Sequence, residues 1–293
     1  MKKFFRKIIS GFLSLLPSNA PMFIYTVLLK PAPLRKSVNF FLKFLLPKSI
    51  VLTEGILFLN QQDPVVSGAL ALDVYEKYES KLFRETVAEG MTVVDIGANI
   101  GYYVVISGKR VGKNGKVVAY EPEDVNFSFL EKNVKRNDFR NVLCRKEAIS
   151  SEKGEMDFFL SEGNKGMHSL VNEKGTKEKI TVSVNTLDSS LSDLGIKKVD
   201  IIKMDIEGAE PLALLGMKET LSRERPILFI EFSPTQILCS KKDPAKFLYD
   251  IALLGYTLFE ISEEEKNIKV IKDFEEFTRR FANADANLYC VKS

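Results

Sequence analysis

The sequence predicts an α/β, Rossmann-like fold in which a mostly parallel sheet carries helices on both faces. Short apolar runs alternate with longer amphipathic stretches over most of the chain, which is typical of parallel strands joined by helices. One apolar run, Thr92–Ile96, leads directly into a glycine-containing turn, as strands do where a parallel sheet meets its ligand. With 293 residues, of which 45% are hydrophobic, the chain can bury the core that this fold requires.

The predicted strands and helices follow one another in regular order. Strands are predicted at residues 92–96, 116–120, 142–145, 201–206, 226–232, 256–261 and 286–291. Helices are predicted at residues 74–89, 126–137, 212–222 and 244–254. Gly90 is placed to end the first helix, and Pro211 suits the first turn of the third. Residues 150–179 are the only long polar insertion, rich in Gly and Lys.

Charge divides the chain into two parts. Residues 1–53 hold nine Lys and Arg and no Asp or Glu, which leaves 33 basic and 39 acidic residues in the remainder. We therefore predict a basic, apolar extension at residues 1–62, followed by a single catalytic domain at residues 63–293. The domain has no stripe of basic residues interleaved with aromatic ones, so nucleic acid is not an expected partner. The sequence leaves the oligomeric state open.

The extension has two apolar segments that bear on membrane contact. Residues 8–29 carry no charge, but Pro17 and Pro21 interrupt them, which disfavours a membrane-spanning helix. Residues 34–46 mix apolar and basic side chains, as in a helix that lies in a membrane interface. Two interpretations stay open: peripheral contact of residues 1–50 with the inner membrane face, or a helix that packs on the catalytic domain or a dimer partner.

The cysteine and histidine content limits the chemistry. Cys144, Cys239 and Cys290 are widely spaced and form no Cys-x-x-Cys pair, which indicates a reducing compartment and predicts a cytoplasmic protein. His168 is the only histidine, so a metal site built from several histidines is excluded. His168 lies in the polar insertion, where it could be a general base or a solvated loop residue.

The turn after residue 96 is suited to close contact with a ligand. Gly97 and Gly101 would let the backbone approach a bound molecule without an intervening Cβ. A dinucleotide-binding Gly-x-Gly-x-x-Gly loop in the same register would place its three glycines at Gly97, Asn99 and Tyr102. Two of the three are missing, so the sequence disfavours a pyrophosphate-binding loop.

Carboxylates stand at the ends of two neighbouring predicted strands. Asp95 lies at the turn, where an acid would repel phosphate and attract a cation. Glu121 follows the next strand, where a carboxylate can accept hydrogen bonds from a ribose diol. A cofactor that has a ribose and a positive centre but no phosphate is S-adenosylmethionine. The two acids together therefore favour S-adenosylmethionine as the cofactor.

Four stretches of the sequence resemble the FkbM family of S-adenosylmethionine-dependent methyltransferases: DIGANIGYY, YEPE, VDIIKMDIEGAEPLALLG and PILFIEF. The resemblance extends over residues 78–260. It implies a seven-strand class I methyltransferase fold and methyl transfer, usually to a hydroxyl of a sugar or natural product. It also implies these cofactor-binding residues: Glu79, Asp95, Gly97, Asn99, Gly101, Glu121 and Ala148. Glu147 and Ile149 are further candidates for the adenine pocket.

The phrase KMDIEGAE supplies the candidate catalytic residues. Lys203, Asp205 and Glu207 would share one face of the strand if the strand continued through them, because side chains alternate. Asp205 or Glu207 would then be the base for the acceptor hydroxyl or a ligand of a divalent metal, with Lys203 beside them. Glu210 is interpreted as an acid at a helix N-terminus. Glu231, which ends a later strand, could contact the acceptor or complete a metal site.

These observations predict an S-adenosylmethionine-dependent O-methyltransferase that acts on a sugar-containing, lipid-linked or natural-product acceptor. Two alternatives stay open: a nicotinamide-dependent enzyme of Rossmann-like fold, and a non-catalytic binding protein that retains the fold. The sequence does not identify the acceptor, and it leaves open whether oxygen or nitrogen is methylated.

Overall fold

A computed structural model describes residues 46–63, 65–160, 168–172 and 178–292. The predictions for residues 1–45, including the interfacial helix, lie outside the described residues. Within the described ranges, no helix combines the length and the hydropathy that crossing a bilayer requires.

The described residues form thirteen strands and ten helices. The strands are β1 Ser49–Val51, β2 Ile56–Phe58, β3 Thr92–Ile96, β4 Lys116–Tyr120, β5 Val142–Arg145, β6 Ala148–Ile149, β7 Gly154–Leu160, β8 Glu178–Asn185, β9 Ile201–Met204, β10 Ile227–Phe232, β11 Tyr256–Ser262, β12 Asn267–Val270 and β13 Ala286–Lys292. The helices are α1 Val66–Ala71, α2 Lys77–Thr86, α3 Tyr102–Arg110, α4 Asp124–Arg136, α5 Leu187–Asp193, α6 Glu210–Leu215, α7 Lys218–Arg223, α8 Pro234–Cys239, α9 Pro244–Leu253 and α10 Phe274–Arg280.

The central sheet has the strand order β5-β4-β3-β9-β10-β13-β11-β12. The five strands from β5 to β10 are mutually parallel, β13 runs antiparallel to β10 and β11, and β12 runs antiparallel to β11. This arrangement confirms the predicted mostly parallel α/β fold. This sheet has eight strands, one more than the seven expected, because β12 forms a hairpin with β11 at the edge of the sheet. Three of its four residues are exposed and the fourth is only partly buried, so β12 lacks the apolar pattern that identifies the inner strands.

Two apolar cores lie on opposite faces of this sheet. Val94 and Ile96 of β3 belong to one core, whereas Val93 belongs to the other, because successive strand residues point to opposite faces. Every residue of β3 is buried, which places this strand and its turn at the centre of the domain. The helices provide the other half of each core: α2, α3 and α4 on the face of Val93, and α5 to α10 on the face of Val94.

Two predicted helices are shorter or broken in the structure. The helix predicted at residues 74–89 begins only at Lys77, because Glu76 has a left-handed backbone with φ of 36°. The helix predicted at residues 212–222 is instead α6 and α7, separated at Gly216. A Cβ built on Gly216 would lie 2.0 Å from the carbonyl oxygen of Ser150, so this close backbone contact accompanies the break.

The polar insertion contains ordered strands. β7 and β8 form an antiparallel hairpin, and β6 pairs with β8 to complete a three-stranded sheet. Phe158, Val182 and Val184 form a small core beneath this sheet together with Ala148. The sheet therefore gives the domain a second wall beside the carboxyl ends of β3 and β4.

The described end of the extension is a hairpin and not a helix. β1 and β2 pair with each other, and Asn133 of α4 and Asn137, the C-cap of that helix, hydrogen-bond to the backbone of β2. The Asn133 carboxamide accepts from the N–H of Phe58 at 2.6 Å and donates to the carbonyl oxygens of Phe58 at 3.1 Å and Ile100 at 2.7 Å. Residues 46–62 therefore pack on the catalytic domain, and a boundary after residue 62 stays a proposal.

We expect Asn133→Ala to lower the free energy of unfolding by about 2–3 kcal/mol, because it leaves buried backbone groups of Phe58 and Ile100 without partners. The measurement is chemical denaturation followed by circular dichroism. Asn114→Ala is the matched control, since Asn114 is exposed, and we expect it to change the free energy of unfolding by less than about 0.5 kcal/mol. Equal effects of the two substitutions would contradict the role assigned to Asn133.

Candidate functional site

The turn after β3 is held in an unusual conformation. Gly97, Asn99 and Gly101 have φ values of 84°, 50° and 89°, in a region that glycine adopts without strain and that asparagine tolerates better than most residues. The N–H groups of Gly97 and Ala98 both donate to the carbonyl oxygen of Tyr120, at 3.0 and 2.9 Å. A Cβ on Gly97 would lie 1.9 Å from the carbonyl oxygen of Asp205. Gly97 is therefore required for β3 and β9 to end side by side.

Glu121 is locked onto this turn. Its Oε2 accepts from the N–H of Asn99 at 2.8 Å, and its Oε1 accepts from the N–H of Glu123 at 2.9 Å. The residue is only 5% exposed. Burial raises the pKa of Glu121 to about 8, although the two backbone N–H bonds oppose the shift. The carboxylate therefore stands in a fixed position at the end of β4.

A cleft opens between this turn and the small sheet. It holds about 490 Å³ of space not filled by protein atoms, including its open mouth. Gly97, Asn99, Glu121 and Ala148, four of the predicted cofactor residues, line it, as does Ile149. The cleft has polar groups at the turn and apolar groups at the opposite wall, so it is suited to a ligand with a polar and a flat apolar part.

Three predicted cofactor residues do not line the cleft. Gly101 begins α3, and a Cβ there would meet Leu130 of α4. Asp95 is 3% exposed, and its Oδ2 has no hydrogen-bond partner among the residues that the structure describes. Burial raises the pKa of Asp95 to about 7. Glu79 lies in α2 with its side chain fully buried, in contact with Lys203.

Glu147 also differs from its expected place at the pocket. Its Oε1 accepts from Arg145 Nε at 3.0 Å and from Ser190 Oγ at 3.1 Å, and its Oε2 accepts from Asn185 Nδ2 at 3.4 Å. These bonds join β5, β8 and α5. Glu147 therefore supports the junction of the two sheets, and it is not among the residues that line the cleft beside Ala148.

Lys203 is a buried cation surrounded by acids. Its side chain is 1% exposed, and its Nζ lies 3.4 Å from Glu79 Oε1 and 3.9 Å from Asp205 Oδ2. In the sheet Lys203 is paired with Asp95, and its Nζ lies 5.1 Å from the ring centre of Tyr103. Desolvation lowers the pKa of Lys203, but the nearby carboxylates outweigh it and raise that pKa above its ordinary value. Lys203 is therefore charged.

The acids around Lys203 compete for that one positive charge. Burial raises the pKa of Glu79 to about 8, despite its contact with Lys203. Glu76, which precedes α2, accepts a hydrogen bond from the hydroxyl of Tyr103 at 2.7 Å, and burial raises its pKa too. Glu76 was not predicted as a site residue, since nothing in the local sequence pattern indicates its left-handed backbone.

The segment after β9 brings three acids together. Oxygens of Asp205, Glu207 and Glu231 all lie within 4.8 Å of one another. The prediction that strand alternation would align Lys203, Asp205 and Glu207 is wrong, because β9 ends at Met204. A turn through Glu207 (φ 55°) and Gly208 (φ 92°) produces the cluster instead.

Burial and mutual repulsion set the charge of this cluster. Desolvation, and then the charge of Asp205, raise the pKa of both Glu207 and Glu231 well above the ordinary value. The amide Nε2 of Gln236 donates to Glu207 Oε2. Three carboxylates at this spacing can share protons, and they also offer the oxygen ligands that Mg²⁺ and Ca²⁺ prefer.

Glu210 has the structural position predicted for it. It is the first residue of α6, and its Oε1 accepts from the N–H of Ile206 at 3.0 Å. Burial raises the pKa of Glu210 to about 7. Glu210 therefore supports the turn that carries Asp205.

The second wall of the cleft comes from the insertion. Phe158 of β7, His168 and Leu170 line it, and the rings of Phe158 and His168 stand 6.3 Å apart in an edge-to-face arrangement. Phe158 and Asn126 line the cleft but were not predicted as site residues. The alternation of apolar and polar residues in β7 could have indicated Phe158, but not which face of the strand meets a ligand.

Three curated proteins are similar to parts of this chain. The first is Methyltransferase sdnD of Sordaria araneosa, 27% identical over an alignment of 157 residues that covers 43% of this chain and 60% of that protein. The second is Hexuronic acid methyltransferase AglP of Haloferax volcanii, 27% identical over 142 residues, 48% of this chain and 56% of that protein. The third is 2-O-methyltransferase NoeI of Sinorhizobium fredii, 36% identical over 58 residues, 20% of this chain and 24% of that protein.

The chain thus spans no more than about three fifths of the length of these curated relatives. A match to a family covers more of it. Residues 95–248, over half of the chain, match the Methyltransferase FkbM domain. This match includes the glycine turn, Glu121, the three clustered acids and the small sheet. The resemblance inferred from the sequence motifs is therefore confirmed: the chain belongs to the FkbM methyltransferase family.

Proposed function

We propose that this protein is an S-adenosylmethionine-dependent methyltransferase that methylates a hydroxyl group. The observation that carries the proposal is the placement of Glu121. Its carboxylate is fixed by the N–H groups of Asn99 and Glu123, beside a glycine turn, in a cleft with an apolar opposite wall. A carboxylate in this position suits the two hydroxyls of a ribose.

The rest of the cleft fits the same cofactor. Ala148, Ile149 and Phe158 supply apolar surface for a flat adenine ring. Asp205 at the cleft and Asp95 next to Lys203 in the sheet add negative charge, which favours a sulfonium and disfavours phosphate. When bound, the cofactor supplies an electrophilic methyl group. The family resemblance implied Glu79 as a cofactor residue. We propose that Glu79 affects the cofactor indirectly, through Lys203 and then Asp205.

Asp205 is the residue that we assign to the acceptor proton. It lines the cleft, and its side chain is 24% exposed, so an acceptor hydroxyl can reach it. The charged Nζ of Lys203 lies 3.9 Å from Asp205 Oδ2, so the two groups attract each other. As a base, Asp205 accepts the hydroxyl proton while the acceptor oxygen is held in line for transfer. Glu207 and Glu231 complete the polar surface around that oxygen.

The proposed acceptor is a sugar-containing, lipid-linked or natural-product molecule. Support comes from the names of two relatives, a hexuronic acid methyltransferase and a 2-O-methyltransferase. A cluster of carboxylates is also able to accept hydrogen bonds from several sugar hydroxyls. We further propose a cytoplasmic location, with peripheral membrane contact through residues 1–50. The support is the excess of nine basic residues and the absence of acids in residues 1–53.

Two rival functions make different predictions. A nicotinamide-dependent enzyme would bind NAD(P)H, whereas the proposed methyltransferase binds S-adenosylhomocysteine and not NAD(P)H in calorimetry. A non-catalytic protein with this fold would retain S-adenosylhomocysteine but transfer no label from methyl-labelled cofactor to any cell-envelope extract. Identifying a labelled product from such an extract would also name the acceptor and the methylated atom.

At about pH 9, where Glu121 is ionised, we expect Glu121→Gln to weaken the binding of S-adenosylhomocysteine by about tenfold to a hundredfold, because a charge-assisted hydrogen bond to ribose is lost. Titration calorimetry measures the change. Asp124→Asn is the control: it removes the same charge three residues away, where the side chain is 70% exposed, and should leave affinity unchanged. Unchanged affinity in Glu121→Gln would refute the assignment of the ribose site.

Asp205→Asn is expected to leave cofactor binding within about threefold of wild type and to lower turnover by about a hundredfold or more, because the proton acceptor is lost. Glu210→Gln is the control, since an amide oxygen can still accept from the N–H of Ile206 and turnover should persist. Turnover is followed as label transferred to an extract fraction. If Asp205→Asn turned over as fast as the wild-type protein, the assignment of Asp205 as the base would be refuted. Dialysis against a chelator tests whether the three acids hold a divalent metal.

Cofactor affinity should depend on pH. In the free protein burial raises the pKa of Asp95 to about 7 and of Glu121 to about 8, so both acids lose protons as pH rises through this range. We expect the affinity for S-adenosylhomocysteine to increase by about tenfold between about pH 6 and about pH 8. Glu121→Gln should lose most of this dependence. A flat profile for the wild-type protein would contradict the prediction.

The same pKa shifts have the opposite effect on the stability of the free protein. Acids with ordinary pKa values ionise in the unfolded chain near pH 4, whereas Asp95 and Glu121 hold their protons in the folded state up to about pH 7 and about pH 8. The folded state therefore binds more protons over this interval. Their contribution to the free energy of unfolding decreases as pH rises from about 4 to about 8.

A further inference from the structure

Ser169 joins the two walls of the cleft. Its hydroxyl donates to the carbonyl oxygen of Glu207 at 2.7 Å and lies 3.2 Å from that of Ile206, and its oxygen accepts from the N–H of Val171 at 3.0 Å. Its backbone pairs with Phe159 of β7 through two hydrogen bonds, at 2.8 and 3.2 Å. One residue therefore connects the small sheet with the turn that follows β9.

The residues on either side of this connection line the cleft. His168 and Leu170, the neighbours of Ser169, line one wall, and Ile206 and Ala209 line the other. Ser169 itself is only 5% exposed. A hydroxyl bonded in this position fixes the separation of the two walls, although it has no contact with the cleft.

The turn that Ser169 contacts is one that needs support. Glu207 has a left-handed backbone, which is unfavourable for a residue with a Cβ, and Gly208 follows it in the same region. Such backbone conformations persist when surrounding bonds determine them. The Ser169 hydroxyl bonds directly to the carbonyl oxygen of Glu207, within the turn that runs from Asp205 to Gly208.

We propose that Ser169 is a positioning residue for cofactor binding. Its hydroxyl holds residues 168–171 against the turn at residues 205–208 and so sets the width of the cleft. The proposal rests on the proposed function, because it assumes that the cleft binds S-adenosylmethionine. It adds a residue that acts on cofactor affinity from outside the cleft.

The test compares Ser169→Thr with Ser169→Val, which have nearly the same shape and differ in the hydroxyl. Binding of S-adenosylhomocysteine is measured by calorimetry. We expect Ser169→Thr to bind within about threefold of the wild-type affinity. Ser169→Val should bind about tenfold more weakly than the wild-type protein, the size expected for the loss of one buried hydrogen bond. The rescue by threonine distinguishes the hydroxyl from the volume of the side chain.

Matched controls come from Ser183, which is exposed on β8 in the same small sheet. Ser183→Thr and Ser183→Val should both bind as the wild-type protein does. If either β-branched variant at position 169 does not fold, as judged by circular dichroism, Ser169→Ala replaces it and should also bind about tenfold more weakly.

The outcomes separate this inference from the proposed function. Equal affinities of Ser169→Thr and Ser169→Val, or wild-type affinity of Ser169→Ala, would overturn the role of Ser169 while leaving the methyltransferase assignment intact. A wild-type protein that does not bind S-adenosylhomocysteine would overturn the proposed function, and with it this inference. A loss of affinity confined to the variants without the hydroxyl supports the role.

Discussion

The site depends on one buried positive charge. Lys203 is almost completely removed from solvent and is surrounded by carboxylates from α2, β3 and the turn after β9. Taking a lysine out of water is unfavourable unless acids compensate it, and the acids in turn would repel one another without it. This mutual dependence holds Glu79, Asp95 and Asp205 around a common centre. The charge at the proposed reaction site therefore depends on groups buried beneath the cleft as well as on the groups that line it.

A second constraint is steric and acts on the backbone. The turn after β3 touches the turn after β9 so closely that Gly97 has no room for a side chain. The contact aligns two groups that the sequence separates by more than a hundred residues: the cofactor turn and the acid that we assign to the acceptor proton. Close backbone packing and the buried ion cluster thus fix the same two strand ends from different directions.

The strands of the parallel sheet could be predicted from the sequence, because buried central strands are nearly continuous apolar runs. Gly97 and Glu121, which stand at the ends of those strands, and Asn99 and Ala148, which the family resemblance implied, all line the cleft, and their role in cofactor binding stays a proposal. Prediction from the sequence failed where the direction of a side chain depends on distant contacts. Glu147 bonds to Asn185 and Ser190, and Glu207 leaves the strand periodicity at a left-handed turn. No local pattern encodes either feature.

The hairpin of β1 and β2 has a practical meaning for work with this protein. Asn133 hydrogen-bonds to β2 with one part of its amide and to Ile100 in the glycine turn with another. The segment ahead of residue 63 is thus tied to the same side chain as the cofactor turn. Shortened versions designed for crystallisation or screening should start upstream of Ser49, since cutting at the compositional boundary would remove a strand that braces the ligand-binding loop.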